Sequence, residues 1–188
     1  MILVDSHCHL NFPELSSDLD GFLAQMEVNQ VTHALVVATR PDNITRVIEI
    51  AETKEYLFAS AGIHPDEKLP DFKLTPEFLL DYAKHSKVIA IGETGLDYHW
   101  NKDQDMAWQH ERFNTHIEVA KQTNLPLIIH TREAAADTHQ MLKDGNVELC
   151  GAVMHCFTED WETAEAALAL GYYISFSGII SFKNAQSL

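Results

Sequence analysis

The apolar residues of this chain fall into seven short runs, and the stretches between the runs have helical periodicity. The runs are rich in Val, Ile and Leu without strict polar alternation, which is typical of strands buried on both faces of a parallel sheet. They predict strands at Ile2–Asp5, Val31–Val37, Leu57–Ala61, Val88–Ile91, Leu125–Ile129, Gly151–Met154 and Tyr172–Ser175.

The stretches between these runs predict amphipathic helices. One helix follows the i, i+3, i+4, i+7 spacing of a single buried face, at Ile44, Val47, Ile48 and Ala51. A longer helix is predicted over residues 106–123. Strands that alternate with helices, with no clear reversal point, predict an α/β fold of the TIM-type (β/α) barrel with parallel strands. A doubly wound open sheet is the alternative.

The length of 188 residues suits one domain, which we assign to residues 1–188. A full eight-stranded barrel typically needs about 250 residues. We therefore expect a C-terminally incomplete barrel that lacks its last strand. Such a barrel would have open edges at its first and seventh strands.

Composition narrows the classes of function. The chain has 46% apolar and 22% charged residues, no apolar run that could span a membrane and no signal peptide, so we expect a cytoplasmic location. Its three cysteines have no paired spacing, which fits a reducing compartment. The net charge of −15 argues against a broad basic surface for nucleic acid, but an enzyme could obtain positive charge from bound metal. No obligate protein partner is evident.

Side chains that can bind metal recur where the predicted strands end. The first run leads into the sequence Asp-Ser-His-Cys-His, and alternation along a strand would point His7 and His9 to the same side. Later strand ends carry His64, Glu93, His130 and His155. Because the carboxyl ends of barrel strands meet at one mouth, we expect these side chains to converge and to bind metal. The alternative is that each histidine is a structural residue, as we interpret the histidines in or beside helices, such as His116.

The number of donors predicts two divalent ions, chosen from Mg, Mn and Zn. Four imidazoles and one carboxylate exceed the needs of a single tetrahedral site, and Glu93 can bridge because each of its oxygens can bind one ion. Mixed nitrogen and oxygen ligands suit Zn, Mn or Co, whereas Mg prefers more oxygen. Two ions about 3.5–4 Å apart indicate hydrolysis. Arg132 could hold a phosphate, or it could pair with Glu133 or another acid. His99 has no assigned role.

Six motifs resemble the TatD-related DNases, a family of amidohydrolase-like metal-dependent hydrolases. They are D-S-H-C-H at 5–9, G-I-H-P at 62–65, I-G-E-T-G-L-D-Y at 91–98, I-H-T-R-E-A at 129–134, M-H-C-F at 154–157 and F-K-N-A at 182–185. They cover nearly the whole chain in the expected order. The resemblance implies a TIM-type barrel and a divalent-metal-dependent deoxyribonuclease, often a 3′-to-5′ exonuclease.

Carried over to this sequence, the resemblance implies a set of five metal ligands. His7 and His9 would bind one metal. Glu93, also the catalytic residue, would bridge to a second metal, which His130 and His155 would complete.

Two departures from the family pattern affect the rest of the site. His64 matches a motif position near the site, and we assign it with Arg132 to substrate binding. The family often has a further histidine after this position, whereas this chain has Asp66. The family also has a late aspartate in an E-T-D-type motif, which binds metal and acts as a base. This sequence ends before such a motif, and Asp97 belongs to a different one.

Three hypotheses about function therefore stay open. The first is a two-metal nuclease with DNA, or RNA, as its substrate. The second is a metal-dependent hydrolase of small amides or esters, because metal ions polarise a carbonyl as readily as a phosphoryl group. The third is an inactive, truncated fragment that binds metal.

Overall fold

The structure, a computed structural model, describes residues 2–100, 105–186 and 188. All seven predicted strands are present. They are β1 (Leu3–Cys8), β2 (Val31–Val36), β3 (Leu57–Ala61), β4 (Val88–Asp97), β5 (Leu127–Arg132), β6 (Ala152–Met154) and β7 (Tyr173–Ile174).

Helices connect the strands and cover the outside of the sheet. The α-helices are α1 (Pro13–Ser16), α2 (Leu19–Val28), α3 (Ile44–Glu52), α4 (Pro76–Ala83), α5 (Ala107–Thr123), α6 (Ala135–Asp144) and α7 (Trp161–Ala169). Short 3₁₀ helices follow at Val147–Leu149 and Gly178–Ser181. Within the residues described, none of these helices has the length and apolar character needed to cross a membrane.

The strands form one parallel sheet in the order β1-β2-β3-β4-β5-β6-β7. Neighbours in the sheet are thus neighbours in sequence. A doubly wound sheet would reverse its strand order at a switch point, so that alternative is wrong. The sheet curls as part of a TIM-type barrel. In the described part of the chain β1 pairs only with β2 and β7 only with β6, so both edges are open as predicted.

Strands β1, β4 and β5 continue past their predicted ends. The apolar pattern stops at Ile91 in β4 and at Ile129 in β5, but the ladder between them continues to the pair Asp97 and Arg132. Backbone hydrogen bonds between strands do not depend on side-chain polarity. The polar residues that follow each apolar run are therefore held on rigid strand backbone.

The core lies between the sheet and the helices that pack on it. Helix α5 buries Phe113, Ile117 and Ala120 against the sheet, and helix α3 buries Val47 and Ile50. Each large apolar side chain that is fully buried contributes about 1.5–3 kcal/mol. This packing fixes the strands whose carboxyl ends carry the polar residues discussed next.

Candidate metal centre

The first group of possible ligands joins the end of β1 to β4. The Nε2 atom of His7 lies 3.2 Å from Nε2 of His9 and 3.3 Å from Oε2 of Glu93. The donor atoms of these three residues all lie within 4.8 Å of one another. The Nδ1 atom of His9 lies 3.2 Å from the carbonyl oxygen of Val37. Because a carbonyl oxygen can only accept a hydrogen bond, the ring proton of neutral His9 belongs on Nδ1. Its Nε2 is then free to bind a cation.

The second group shares Glu93 and adds His64 and His130. The Oε1 atom of Glu93 lies 3.7 Å from Nε2 of His64 and 3.6 Å from Nδ1 of His130. The opposite nitrogen of each ring contacts a carboxylate: His64 contacts Asp66, and Nε2 of His130 lies 2.9 Å from Oδ2 of Asp97. Metal-binding histidines usually have such a partner on their second nitrogen, which fixes the tautomer and raises basicity.

Glu93 stands between the two groups, and its backbone is held firmly. Its N–H donates to the carbonyl of Ala38 at 2.9 Å. The hydroxyl of Ser60 accepts from the N–H of Ala38 at 3.0 Å and donates to the carbonyl of Gly92 at 2.6 Å. The residue is only 4% exposed. These contacts tie β4 to β3 and to the segment that follows β2. Of the Glu93 carboxylate, Oε2 faces the first group and Oε1 faces the second.

The electrostatics of Glu93 and His130 are coupled. Burial by itself raises the pKa of Glu93, but the adjacent His130 and His7 rings hold it well below its usual range. Burial by itself lowers the pKa of His130, but Asp97 and Glu93 raise it to about 9. Without a cation, His130 is therefore protonated between two carboxylates. A cation in the second group must replace the proton on its Nδ1.

His155 lies beside the first group and not within the second. Its ring stacks on the ring of His7, with centroids 3.3 Å apart and planes inclined by 8°. Burial and the neighbouring His7 lower its pKa to about 4, which keeps it neutral. The structure thus groups His64, instead of His155, with Glu93 and His130. The role of His155 as a ligand stays a prediction.

The chemistry of the donors tests whether this centre suits a metal. Each group combines imidazole nitrogens with a carboxylate oxygen of Glu93, and its donor atoms all lie within 4.8 Å of one another. Mixed nitrogen and oxygen donors of this kind fit a divalent ion such as Zn or Mn.

Asp97 belongs to the centre, although its sequence motif did not predict this. Its backbone is fixed by Gln109, which accepts from the Asp97 N–H at 2.9 Å and donates to the Asp97 carbonyl at 3.0 Å. Its Oδ2 orients His130. The sequence did show that Asp97 follows Glu93 by four residues. It did not show that β4 continues to Asp97, and this extension of the strand brings the carboxylate beside His130.

The loop that carries His64 is supported from α5. Arg112 donates to the carbonyls of His64 and Glu67 at 3.3 and 2.7 Å. The N–H of Ile63 donates to Nε2 of His116 at 3.1 Å. His116 is fully buried, in agreement with its interpretation as a packing residue. The loop is therefore fixed on both sides of His64.

Arg132 lies at the end of β5 on the rim of the mouth. Its guanidinium carbon lies 5.4 Å from the centroid of the Trp100 ring. In residues 2–100 and 105–186 no carboxylate forms an ion pair with Arg132, and Oε1 of Glu133 lies 2.6 Å from Nδ1 of His99 instead. The alternative, an ion pair of Arg132 with Glu133 or another acid, is not formed among the described residues.

A parallel (β/α) barrel that gathers histidines and a carboxylate at the carboxyl ends of its strands has the architecture of a metal-dependent hydrolase. The chain belongs to the family described as TatD related DNase, which matches residues 4–188.

Curated relatives and solved structures agree with this assignment. The chain is 41% identical to YcfH, an uncharacterized metal-dependent hydrolase of Escherichia coli K12, over all of this chain and 71% of YcfH. It is 37% identical to YabD, an uncharacterized metal-dependent hydrolase of Bacillus subtilis, over 98% of this chain and 72% of YabD. The crystal structure of YjjV, a TatD homolog from Escherichia coli K12, superposes with a TM-score of 0.89 at 31% identity, covering 97% of this chain and 71% of that one.

Proposed function

We propose that this chain is a divalent-metal-dependent deoxyribonuclease that hydrolyses phosphodiester bonds with two ions, from Mg, Mn and Zn. The observation that carries the proposal is the placement of Glu93, whose Oε2 faces His7 and whose Oε1 faces His64 and His130. Two groups that share one carboxylate suit a pair of ions about 3.5–4 Å apart, which can clamp both oxygens of a displacement. A 3′-to-5′ direction is taken from the family resemblance.

The chain's own residues prepare both groups for a cation. Asp97 keeps a proton on Nε2 of His130, and Asp66 does the same at Nδ1 of His64, so the nitrogens nearest Glu93 can present lone pairs. When bound, divalent ions polarise a phosphoryl oxygen and lower the pKa of water from 15.7 to about 7. Glu93 supplies negative charge to both groups.

Arg132 supports phosphate as the group that binds at this mouth. The guanidinium has five N–H donors in a planar fork that matches two phosphate oxygens, and it stays charged at neutral pH. It follows His130 by two residues on the same strand, and its backbone pairs with Asp97. A phosphodiester bound there would extend toward Glu93. The substrate we propose is DNA, with RNA as a further substrate to be tested.

The experiment is metal-dependent release of nucleotides from labelled single-stranded DNA. Replacing Glu93→Ala removes the carboxylate shared by both groups, so we expect release to fall to background while the fold is kept. Glu118→Ala, which removes an exposed glutamate on α5, is the matched control and should retain full activity. Circular dichroism and thermal unfolding monitor the fold. Glu93→Ala activity within a few-fold of the parent would contradict the proposal.

Small esters and amides, tested beside DNA, separate the competing functions. Their turnover without nucleotide release would favour a small-molecule hydrolase. Metal binding without turnover of either substrate class would favour a metal-binding chain that lacks activity.

A further inference from the structure

A cavity of about 520 Å³ lies between the loop that precedes α4 and the first half of α5. Its walls come from residues 68–74 of the loop and from residues 108–115 of the helix. None of the residues that line it belongs to either group of possible metal ligands. Sites for small molecules are usually cavities of about 300–1,000 Å³, so this cavity has the size of a ligand site.

Aromatic and aliphatic side chains form the apolar part of the cavity wall. Leu74 is buried and Phe72 is half-buried in the loop, and Trp108 is half-buried on α5. The Phe72 ring meets the Phe78 ring of α4 edge-on, with centroids 5.2 Å apart, so this part of the wall is held in place. Such a wall favours an organic ligand with a flat, apolar body over a bare inorganic ion.

Three cationic side chains and one acidic side chain line the same cavity. The cations are Lys68, Lys73 and Arg112, and the acid is Glu111, so the lining has a net charge of +2 on a chain of net charge −15. Oε1 of Glu111 lies 3.0 Å from Nζ of Lys73. Among the described residues no acid forms an ion pair with Lys68 or Arg112. A local excess of positive charge on an acidic protein favours an anion.

Arg112 brings a fork of N–H donors to the aromatic part of the wall. Its guanidinium carbon lies 4.9 Å from the centroid of the Trp108 ring. Its Nη1 atom donates to the carbonyls of His64 and Glu67, which uses two of the five N–H donors of the guanidinium. The other three donors make no hydrogen bond within the part of the chain that the structure describes. A planar fork of donors matches the two oxygens of a carboxylate.

We propose that this cavity binds a small aromatic carboxylate, and that Arg112 links its occupancy to the loop that carries His64. The aromatic body packs against Phe72 and Trp108, and the carboxylate accepts from Arg112 and Lys68. A neutral aromatic molecule would leave both cations without an anion, and an inorganic anion would leave the apolar wall uncovered. The ligand therefore needs both parts.

The link follows from the contacts that Arg112 makes behind the loop. Nη1 lies 3.3 Å from the carbonyl oxygen of His64 and 2.7 Å from that of Glu67. A carboxylate on the other donors restrains the same guanidinium, and a cation held by His64, Glu93 and His130 restrains the loop from its other side. Each ligand then meets a loop that the other has already ordered, so the coupling is positive and reciprocal. The link rests on the proposed metal-dependent function, whereas the cavity site does not.

Contact quenching tests the cavity site in the absence of metal. Trp100→Phe and Trp161→Phe leave Trp108 as the single tryptophan, because the chain has three. In EDTA, 3-iodobenzoate should quench its fluorescence with saturation, since iodine quenches an indole on close contact. The uncharged 3-iodobenzamide should bind about tenfold more weakly or less.

The matched control keeps a different single tryptophan. Trp100→Phe with Trp108→Phe leaves Trp161, which is 71% exposed at the start of α7. Its quenching by 3-iodobenzoate should rise in proportion to concentration, without saturation. The same unsaturated quenching at Trp108 would overturn the site.

A charge reversal tests the carboxylate contact. Lys68→Glu should raise the Kd for 3-iodobenzoate about tenfold or more in the protein with Trp108 alone. Lys143→Glu, at an exposed lysine of α6 that does not line the cavity, makes the same change in net charge and is the matched control. Equal effects of the two substitutions would show that net charge alone attracts the anion, and would overturn the site.

Calorimetry of Mn²⁺ binding tests the link. Saturating 3-iodobenzoate should raise the Mn²⁺ affinity of the parent about fivefold, at the low end of the usual range of coupling. The gain should vanish in Lys68→Glu, because a benzoate bound directly to Mn²⁺ would not depend on Lys68. An unchanged Mn²⁺ affinity, or a gain that persists in Lys68→Glu, would overturn the link.

Nucleotide release from DNA separates this inference from the proposed function. Saturable quenching of Trp108 without release would support the cavity site and contradict the nuclease. Release without saturable quenching would overturn the cavity site and leave the nuclease intact.

Discussion

Lowering the pH should destabilise the protein through His116, which supports the loop of His64. The ring is fully buried in α5, where Nε2 accepts from the N–H of Ile63 at 3.1 Å and Nδ1 donates to the carbonyl of Arg112 at 2.8 Å. Both nitrogens are satisfied only in the neutral form. A second ring proton would point at the Ile63 N–H and remove its acceptor.

The size and direction of the effect follow from the pKa of His116. Burial lowers this pKa from 6.5 to about 4. Between those two values the unfolded chain binds a proton that the folded chain does not, so the free energy of unfolding falls as the pH falls. At about 1.36 kcal/mol per pKa unit, the loss reaches about 3 kcal/mol at pH 4. The stabilisation is fully present above pH 6.5.

Urea unfolding of the parent and of His116→Gln, measured from pH 7.5 to pH 4, isolates this contribution. Glutamine also has one hydrogen-bond acceptor and one donor group, but it does not titrate. Subtracting the free energy of unfolding of the variant from that of the parent cancels the titration of all groups that the two proteins share. We expect the parent to lose about 3 kcal/mol relative to the variant over this range. His33→Gln, at an exposed histidine outside α5, is the matched control for the substitution itself. A parent-minus-variant difference that is constant with pH would refute the reasoning.

Three further substitutions test the site and its support. Arg132→Ala should lower turnover of single-stranded DNA about tenfold or more while small-ester turnover is kept; equal losses would indicate a structural role. Asp97→Asn should weaken Mn²⁺ binding about 10–100-fold in calorimetry, because a neutral amide does not raise the basicity of His130 as the carboxylate does; unchanged affinity would contradict that role. Gly95→Ala should cost about 3 kcal/mol in urea unfolding, since Gly95 has φ +128° and a Cβ there would lie 2.0 Å from the His130 carbonyl oxygen. Gly178→Ala, which meets nothing within 4 Å, should change stability by less than about 0.5 kcal/mol, and equal effects of both would contradict the clash.

The strands could be predicted because burial on both faces requires continuous apolar runs. The same pattern could not show where β4 and β5 end. It stops at Ile91 and Ile129, where polar side chains begin, although the backbone ladder continues to Asp97 and Arg132. The strand residues that the pattern did not predict lie at the mouth of the barrel. There the strands carry polar side chains, so the apolar pattern that marks a buried strand is lost.

The donors could be predicted, but their grouping could not. His7, Glu93 and His130 follow from the rule that the carboxyl ends of barrel strands converge. The inclusion of His64 in the second group depends on a loop conformation that contacts from α5 maintain. The position of His155 depends on the orientation of its ring against His7. Neither contact leaves a pattern in the local sequence.

The two groups of ligands differ mainly in what lies behind their histidines. In the first group His9 is backed by the neutral carbonyl of Val37, whereas in the second His64 and His130 are each backed by a carboxylate. A carboxylate behind an imidazole raises its basicity, and it does so toward a proton as well as toward a metal. The pKa of about 9 at His130 reflects this competition. The second group thus gains attraction for a cation from Asp66 and Asp97, but His130 must first lose a proton.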